Sequence, residues 1–466
     1  MCVTFRLEKD SIGELDVPST AYYGVQSLRG ARNFHITGHG LHPLFIRNMA
    51  KIKQACAISN GHSALLSRER VDAIVQACDE VIAGKLEDAF ISDAIQGGAG
   101  TTANMNANEV IANRATELLG GTLGDYSVVH PNDHVNFGQS TNDVIPTAGK
   151  MTVIDLMAPM LASLRTLIAA LEEKAVAFDG VIKMGRTQLQ DAVPIRLGQE
   201  FHAYASVLRR DVARLARAEE EMHSINMGGS AIGTSINVDP HYLKEIDKIL
   251  SEITGYELRV AEDLIDATQN LDGYVAVSSA LKTCAVNLSK IANDLRLMSS
   301  GPRAGVAEIT LPAMQNGSSI MPGKVNPVIP EVVNQVAFLV IGHDATITAA
   351  AEAGQFELNA FEPVIFYQLF ESISAMKGAI DTFVENCIRG IVANEEQCME
   401  YVEKSTGIVT AMAPYIGYAR SAAIAKESLK TGVSVREIIL RDKIMTATEL
   451  DALLDPRAMT EPREIK

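Results

Sequence analysis

The chain has 466 residues, 47% of them apolar and 21% charged, with a formal net charge of −16 and a sequence pI near 5.1. That balance is ordinary for a folded globular protein with a large core. It argues against nucleic acid as the main partner, because phosphate recognition needs clustered Lys and Arg, but it leaves room for a small anionic substrate in a donor-rich pocket.

The opening residues, 1–8, lack the apolar stretch of a secretory signal, and no run of 18 apolar residues occurs anywhere. The sequence therefore predicts a cytoplasmic protein without a membrane span. Residues up to about 140 have a mixed texture. Pro18, Gly24, Gly30, Gly38, Gly40 and Pro43 punctuate the opening, and an amphipathic helix is predicted over 66–83.

Long apolar stripes follow. Leu156, Met160, Leu164, Leu167 and Leu171 mark a helix over 153–178, and Phe201, Tyr204, Leu208, Val212 and Leu215 mark one over 197–225. Further helices are predicted over 266–298, 330–350 and 365–392. Apolar residues three and four apart give each helix a buried face, and several such helices imply a bundle. The 330–350 segment is apolar on more than one side, with Val332, Val333, Val336, Phe338, Leu339 and Ile341. A helix greasy on several sides is buried on several sides, so a homo-oligomer is expected. After 394, Pro414, Gly417, Gly432 and Pro456 break the pattern into short helices. The expected fold class is all-α, or mainly so, in three parts: a mixed, mostly helical 1–140, a long-helix bundle over 141–394 and a small helical 395–466.

Four segments depart from the stripes. The run 97–109, from Gly97-Gly98-Ala99-Gly100-Thr101-Thr102 to Glu109, combines glycine with a following helix N-terminus, which suits either an anion or a capping loop. The run 138–147, with Ser140-Thr141-Asn142-Asp143 just before the first long helix, reads by itself as a helix cap. The run 183–194 contains Gly185-Arg186-Thr187-Gln188 and should lie at an end of the bundle. The run 316–331 holds Ser318, Ser319, Lys324 and Asn326 among two glycines and three prolines, as an active-site lid does.

Other chemistries lack their residues. There is no nucleophile elbow, P-loop or dinucleotide fingerprint. The six cysteines, Cys2, Cys56, Cys78, Cys284, Cys387 and Cys398, have no ligand spacing, and neither do the ten histidines. They are expected to be reduced thiols and ordinary imidazoles, with no metal and no cofactor.

The string from Gly317 through Met321-Pro322-Gly323-Lys324-Val325-Asn326 to Pro327 resembles the shared lid of the aspartase/fumarase superfamily. The resemblance runs from Glu8-Lys9-Asp10 and Ala21-Tyr22-Tyr23-Gly24 to Pro414-Tyr415-Ile416-Gly417. Gly138-Gln139-Ser140-Thr141-Asn142, Pro327-Val328-Ile329-Pro330-Glu331 and above all Gln188 look more like aspartases than fumarases; fumarases carry His in place of Gln188, whereas some aspartases have His there and others Gln. Gln takes no proton at neutral pH, so a water-activating hydratase is hard to run here; a class II fumarase is the alternative.

The resemblance implies elimination of ammonia from L-aspartate to give fumarate, through an aci-carboxylate. Ser318 would be the base. Thr101, Ser140, Thr141 and Ser319 would hold the β-carboxylate, and Lys324, Asn326 and Thr187 the α-carboxylate. Asn142 and Gln188 would meet the amino group, while Glu331 orients Gln188 or caps its own helix. The resemblance further implies a homotetramer with each site drawn from three subunits.

Overall fold

A computed structural model describes residues 4–455 and 457–462; Cys2 and Pro456 lie outside them. The chain opens with an antiparallel pair, β1 (Phe5–Lys9) and β2 (Glu14–Pro18). Four helices follow: α1 (Val25–Asn33), α2 (Pro43–His62), α3 (Arg68–Ile82) and α4 (Thr101–Leu118). Their boundaries have local causes. Pro43 sits at the first turn of α2, where its missing N–H costs nothing, and His42 Nδ1 accepts from Leu44 N–H at 3.2 Å. Helix α1 begins over the buried carboxylate of Glu109, which accepts N–H bonds from Gly24, Gln26 and Ser27 at 2.9–3.0 Å. Glu109, from one of the polar segments, is thus a cap in the fold's interior.

The first long helix, α5 (Thr141–Ala177), runs for 37 residues. It starts twelve residues before the predicted position 153, so the 138–147 segment does not precede the helix but forms its first turns. Pro146 lies inside it. A proline there removes the bond to the carbonyl four residues earlier; that carbonyl, of Asn142, instead accepts from Asn226 Nδ2 at 2.9 Å.

The hairpin of β3 (Ile182–Thr187) and β4 (Gln190–Arg196) precedes α6 (Leu197–Glu220). The α6 stripe ends in a 3₁₀ turn and β5 (Ser224–Ile225) rather than continuing as helix to 225. Helix α7 (Pro240–Thr254) has Asp239 accepting at its start and Gly255 at φ +76 past its end. Strand β6 (Arg259–Val260) pairs with β5 in parallel. The predicted 266–298 helix is two, α8 (Asp266–Gln269) and α9 (Asp272–Met298), because Asn270 is extended. Then come β7 (Ile309–Thr310), α10 (Val328–Glu352) and α11 (Glu362–Asn386). Helix α11 stops before 392, where β8 (Val392–Ala393) pairs with β7. Five short helices close the chain: α12 (Glu395–Lys404), α13 (Ala413–Ile416), α14 (Tyr418–Thr431), α15 (Val435–Arg441) and α16 (Ala447–Leu453). The last two carry reciprocal capping boxes, Ser434 with Glu437 and Thr446 with Glu449.

The chain divides into two compact units. One comprises residues 1–161, 213–283 and 339–375; the other comprises 162–212, 284–338 and 376–466. In the first, α2 packs on α3 and α7 around Met49, Ile52, Cys56, Ile74 and Tyr242, all fully buried. In the second, Met184 of β3 shares a core with Val402, Met412, Ile438, Ile439 and Leu450.

Five cysteines, Cys56, Cys78, Cys284, Cys387 and Cys398, are buried and outside any disulfide. Burial pushes the thiols of Cys56, Cys387 and Cys398 up to about 12. Among the described residues two helices, α5 and α10, are long and apolar enough to cross a membrane by length and composition, with 18-residue stretches of mean hydropathy 1.6 and 1.2. Helix α5 is largely buried; α10 leaves Val332, Phe338, Leu339 and Ile341 exposed.

Candidate active site

Thr101 opens α4 behind Gly100 (φ +85). Its hydroxyl is exposed and donates to the Gly98 carbonyl at 2.7 Å, while Gln96 Oε1 accepts from the Ala103 N–H at 2.8 Å. Part of this helix N-terminus is therefore satisfied internally.

Ser140, Thr141 and Asn142 meet α5 at its start. Asp143 accepts from Ser140 N–H at 2.9 Å and Ser230 N–H at 3.0 Å, and Ser140 Oγ accepts from Asn142 N–H at 3.2 Å. Asp143 is fully buried, which pushes its carboxyl up to about 6 although these N–H donors and Lys53 pull it down. Side-chain oxygens of Asp143 and Ser140 take these N–H groups, and Ser140, used as an acceptor, keeps its own hydroxyl proton to donate. Asn142 Nδ2 donates to the Ala231 carbonyl at 2.7 Å, which fixes its amide and leaves Oδ1 as the outward acceptor. Thr141 Oγ1 accepts from Asn104 Nδ2 at 3.3 Å. All four of these predicted residues lie on the first unit.

On the second unit, Thr187 and Gln188 stand exposed at the tip of the β3–β4 hairpin. The turn residues Gln188 and Leu189 have φ +54 and +62, the left-handed pair of a two-residue hairpin turn. A charged cluster holds the hairpin's base. Glu308, fully buried, lies 2.9 Å from Lys183 Nζ and 2.7 Å from Arg186 Nη1, and Lys183 also reaches Glu200 at 3.0 Å. Two cations and two anions balance, as buried charges require. Burial raises the Glu200 carboxyl, with Lys183 opposing.

The 317–326 loop closes on itself. Gly317 N–H donates to the Lys324 carbonyl at 2.8 Å, and Asn326 Nδ2 to the Gly317 carbonyl at 2.6 Å. A Cβ on Gly317 would stand 2.5 Å from that Lys324 carbonyl oxygen, so the closure needs glycine. Ser318 Oγ accepts two backbone N–H bonds, from Ile320 at 3.2 Å and Met321 at 3.0 Å. Ser319 and Lys324 are exposed, and Ser318 and Asn326 half-buried. Among the described residues no hydrogen bond joins this loop to the hairpin tip. Glu331 lies in the first turn of α10 and makes no hydrogen bond to Gln188 there.

Two features lie apart from these residues. An apolar cavity of about 330 Å³ lined by His42, Phe45, Phe366 and Phe370 contains none of the predicted site residues. Among the described residues no three His, Cys, Asp or Glu side chains gather as a metal site.

Residues 13–342 match the lyase family model, and residues 408–461 match that of the fumarase C C-terminus. An aspartate ammonia-lyase from a Bacillus species is 54% identical over 98% of both chains. The chain belongs to the aspartase/fumarase superfamily of lyases. Within that superfamily, the aspartate ammonia-lyase of Escherichia coli K12 is 47% identical over 99% of this chain and 97% of its own. A crystal structure described as a fumarate lyase:delta crystallin from Brucella melitensis superposes with a TM-score of 0.96 at 49% identity, covering 98% of this chain and all of that one. A class II fumarase from Schistosoma mansoni gives 0.95 at 34% identity, covering 99% and 100%. The mainly helical superfamily fold expected from the sequence is the one found.

Sequence reasoning missed the residues behind the site. Lys53 on α2 sits in Lys51-Ile52-Lys53-Gln54, a stretch with no motif, and Glu308 lies in an ordinary turn. Neither carries a local signal, because each acts through partners distant in the chain.

Proposed function

We propose that the chain is an aspartate ammonia-lyase, eliminating ammonia from L-aspartate to leave fumarate without a cofactor. One observation carries the reading. Full-length relatives at 47–54% identity bear that name, whereas the class II fumarase is matched at 34%. Gln188 agrees with it, since an amide cannot serve as the proton acceptor that water activation needs.

In this mechanism Ser318 Oγ, as the anion, takes a proton from C3 of aspartate. The C–H electron pair moves into the β-carboxylate, giving a dianionic aci-carboxylate. That pair then returns to form the C2–C3 double bond as C2–N breaks and ammonia departs. The two N–H bonds accepted by Ser318 Oγ favour its negative charge. Thr101, Ser140, Thr141 and Ser319 supply hydroxyls for the β-carboxylate, where charge develops. Lys324, Asn326 and Thr187 hold the α-carboxylate. Asn142 Oδ1 and Gln188 receive the amino group. The pocket is neutral at that end, so the departing amine meets no strong acid.

The active assembly in this reading is a cytoplasmic homotetramer with three subunits contributing to each site, and with neither nucleic acid nor membrane as partner. The exposed apolar residues of α10 support assembly. The test is a substrate panel followed by absorbance of the fumarate double bond. L-aspartate should be turned over, and Ser318→Ala should lower kcat by about 10²–10⁴-fold, the usual span for loss of a general base. Turnover of L-malate with none of L-aspartate would overturn the assignment.

A further inference from the structure

Lys53 is fully buried, and its ammonium has three neutral partners. It donates to Asn104 Oδ1 at 2.7 Å, Asn136 Oδ1 at 2.8 Å and Gln139 Oε1 at 2.9 Å. Among the described residues no carboxylate forms an ion pair with it. A buried cation whose bonded partners are all neutral costs several kcal/mol by the usual accounting, and the buried Asp143 carboxylate, acting through space, offsets only part of that burial cost, so a purely structural role for this lysine is poorly served. The cost makes sense if the cation imposes something that a neutral side chain would not.

What it imposes is the orientation of amides. An ammonium group only donates, so each amide must turn its oxygen toward Lys53 and its nitrogen away. For Asn104 the consequence is definite. Its Nδ2 donates to Asn136 Oδ1 at 3.2 Å and to Thr141 Oγ1 at 3.3 Å, which uses both hydrogens. Thr141 is thereby an acceptor toward the protein. A hydroxyl has a single proton, and with its oxygen already facing a donor that proton is left for a ligand. The opposite flip of Asn104 would present an oxygen to Thr141 and draw the proton inward. Asn136 and Gln139 are held by the same cation, and Asn136 Nδ2 donates to the Gln139 carbonyl at 3.2 Å, which fixes the loop leading into Thr141.

We propose that Lys53 is a positioning residue for the elimination: by fixing the flip of Asn104 it directs the Thr141 hydroxyl proton toward the β-carboxylate of the substrate. This rests on the reading of Thr141 as a β-carboxylate donor. The ammonium acts through a relay of two side chains and touches no substrate.

The test is a pair of double-mutant cycles on the full-length enzyme, with kcat at saturating L-aspartate, KM and melting temperature measured for every variant. Thr141→Val should lower kcat about 10²-fold, as removal of a donor to developing charge does. Asn104→Asp keeps an oxygen on Lys53, and indeed a charged one, but cannot donate to Thr141. It should remain folded and lose about 10-fold or more in kcat. Lys53→Met should do the same. In the Thr141→Val background each of these two changes should cost less than about 2-fold, because residues acting through one another are not additive. Equal losses in both backgrounds would overturn the relay, as would native kcat in Asn104→Asp. If Lys53→Met fails to fold, the Asn104→Asp cycle decides alone. An unchanged kcat in Thr141→Val alone would instead sink the premise about Thr141, which separates that failure from failure of the relay.

Discussion

Side chains that hold substrate and side chains that hold the fold respond to substitution in different ways. Lys324 is exposed on a loop bonded through its own backbone, so its ammonium has no part in the core. Lys324→Ala should raise KM for aspartate roughly 10–100-fold, the value of a charge-assisted bond of about 1.5–3 kcal/mol. Its melting temperature should stay within about 1 °C of native, as for other surface changes. Glu362 is the reverse case. Full burial pushes its carboxyl up to about 8, with Lys150 opposing. A folded-state value above the unfolded one means that the group's contribution is complete below pH 4.5 and lost as pH rises through about 8. Glu362→Gln removes that loss. Its melting temperature relative to native should therefore climb by a few °C between pH 5 and pH 8 in a thermal-shift series.

At the scale of elements, the long helices were legible because a 3.6-residue stripe is a property of the sequence itself. Phe201, Leu208 and Leu215, read as one buried face, are all fully buried. The helix starts and stops were less legible. Pro146 reads as a breaker, yet α5 passes through it because Asn226, eighty residues on, takes the orphaned carbonyl. The 182–196 hairpin was missed as strand because Lys183, Arg186, Thr187, Gln190 and Asp191 give it no apolar alternation. Buried charge holds it in place of a greasy face. Glu308→Ala should accordingly destabilise by about 3–5 kcal/mol, the cost of leaving buried cations unpaired. The drop would be read as an early first transition in urea. The motifs proposed to face substrate were legible for another reason: they are contiguous in the chain, whereas the groups that orient them are not. The three-part division at 140 and 394 remains a proposal, and limited proteolysis at those positions tests it.

For the whole molecule, α10 is the most telling element. Phe338 is 63% exposed, and Leu339 and Ile341 beside it are exposed as well. Such a patch is expected to be covered in the assembly proposed above. The tetramer proposed above predicts that Phe338→Asp shifts the species seen by light scattering toward smaller forms at micromolar concentration, and that activity falls with it.

The buried cysteines have a practical corollary. Thiols held near 12 are almost wholly protonated at pH 7.5 and shielded from reagent, so Cys56, Cys387 and Cys398 should stay dark toward maleimides. In a Cys2→Ser background, Ile320→Cys would place a reactive handle on the 84%-exposed tip of the Ser318 loop. A fluorophore attached there would test the lid reading directly, since a loop that moves with each turnover should change its emission when L-aspartate is added.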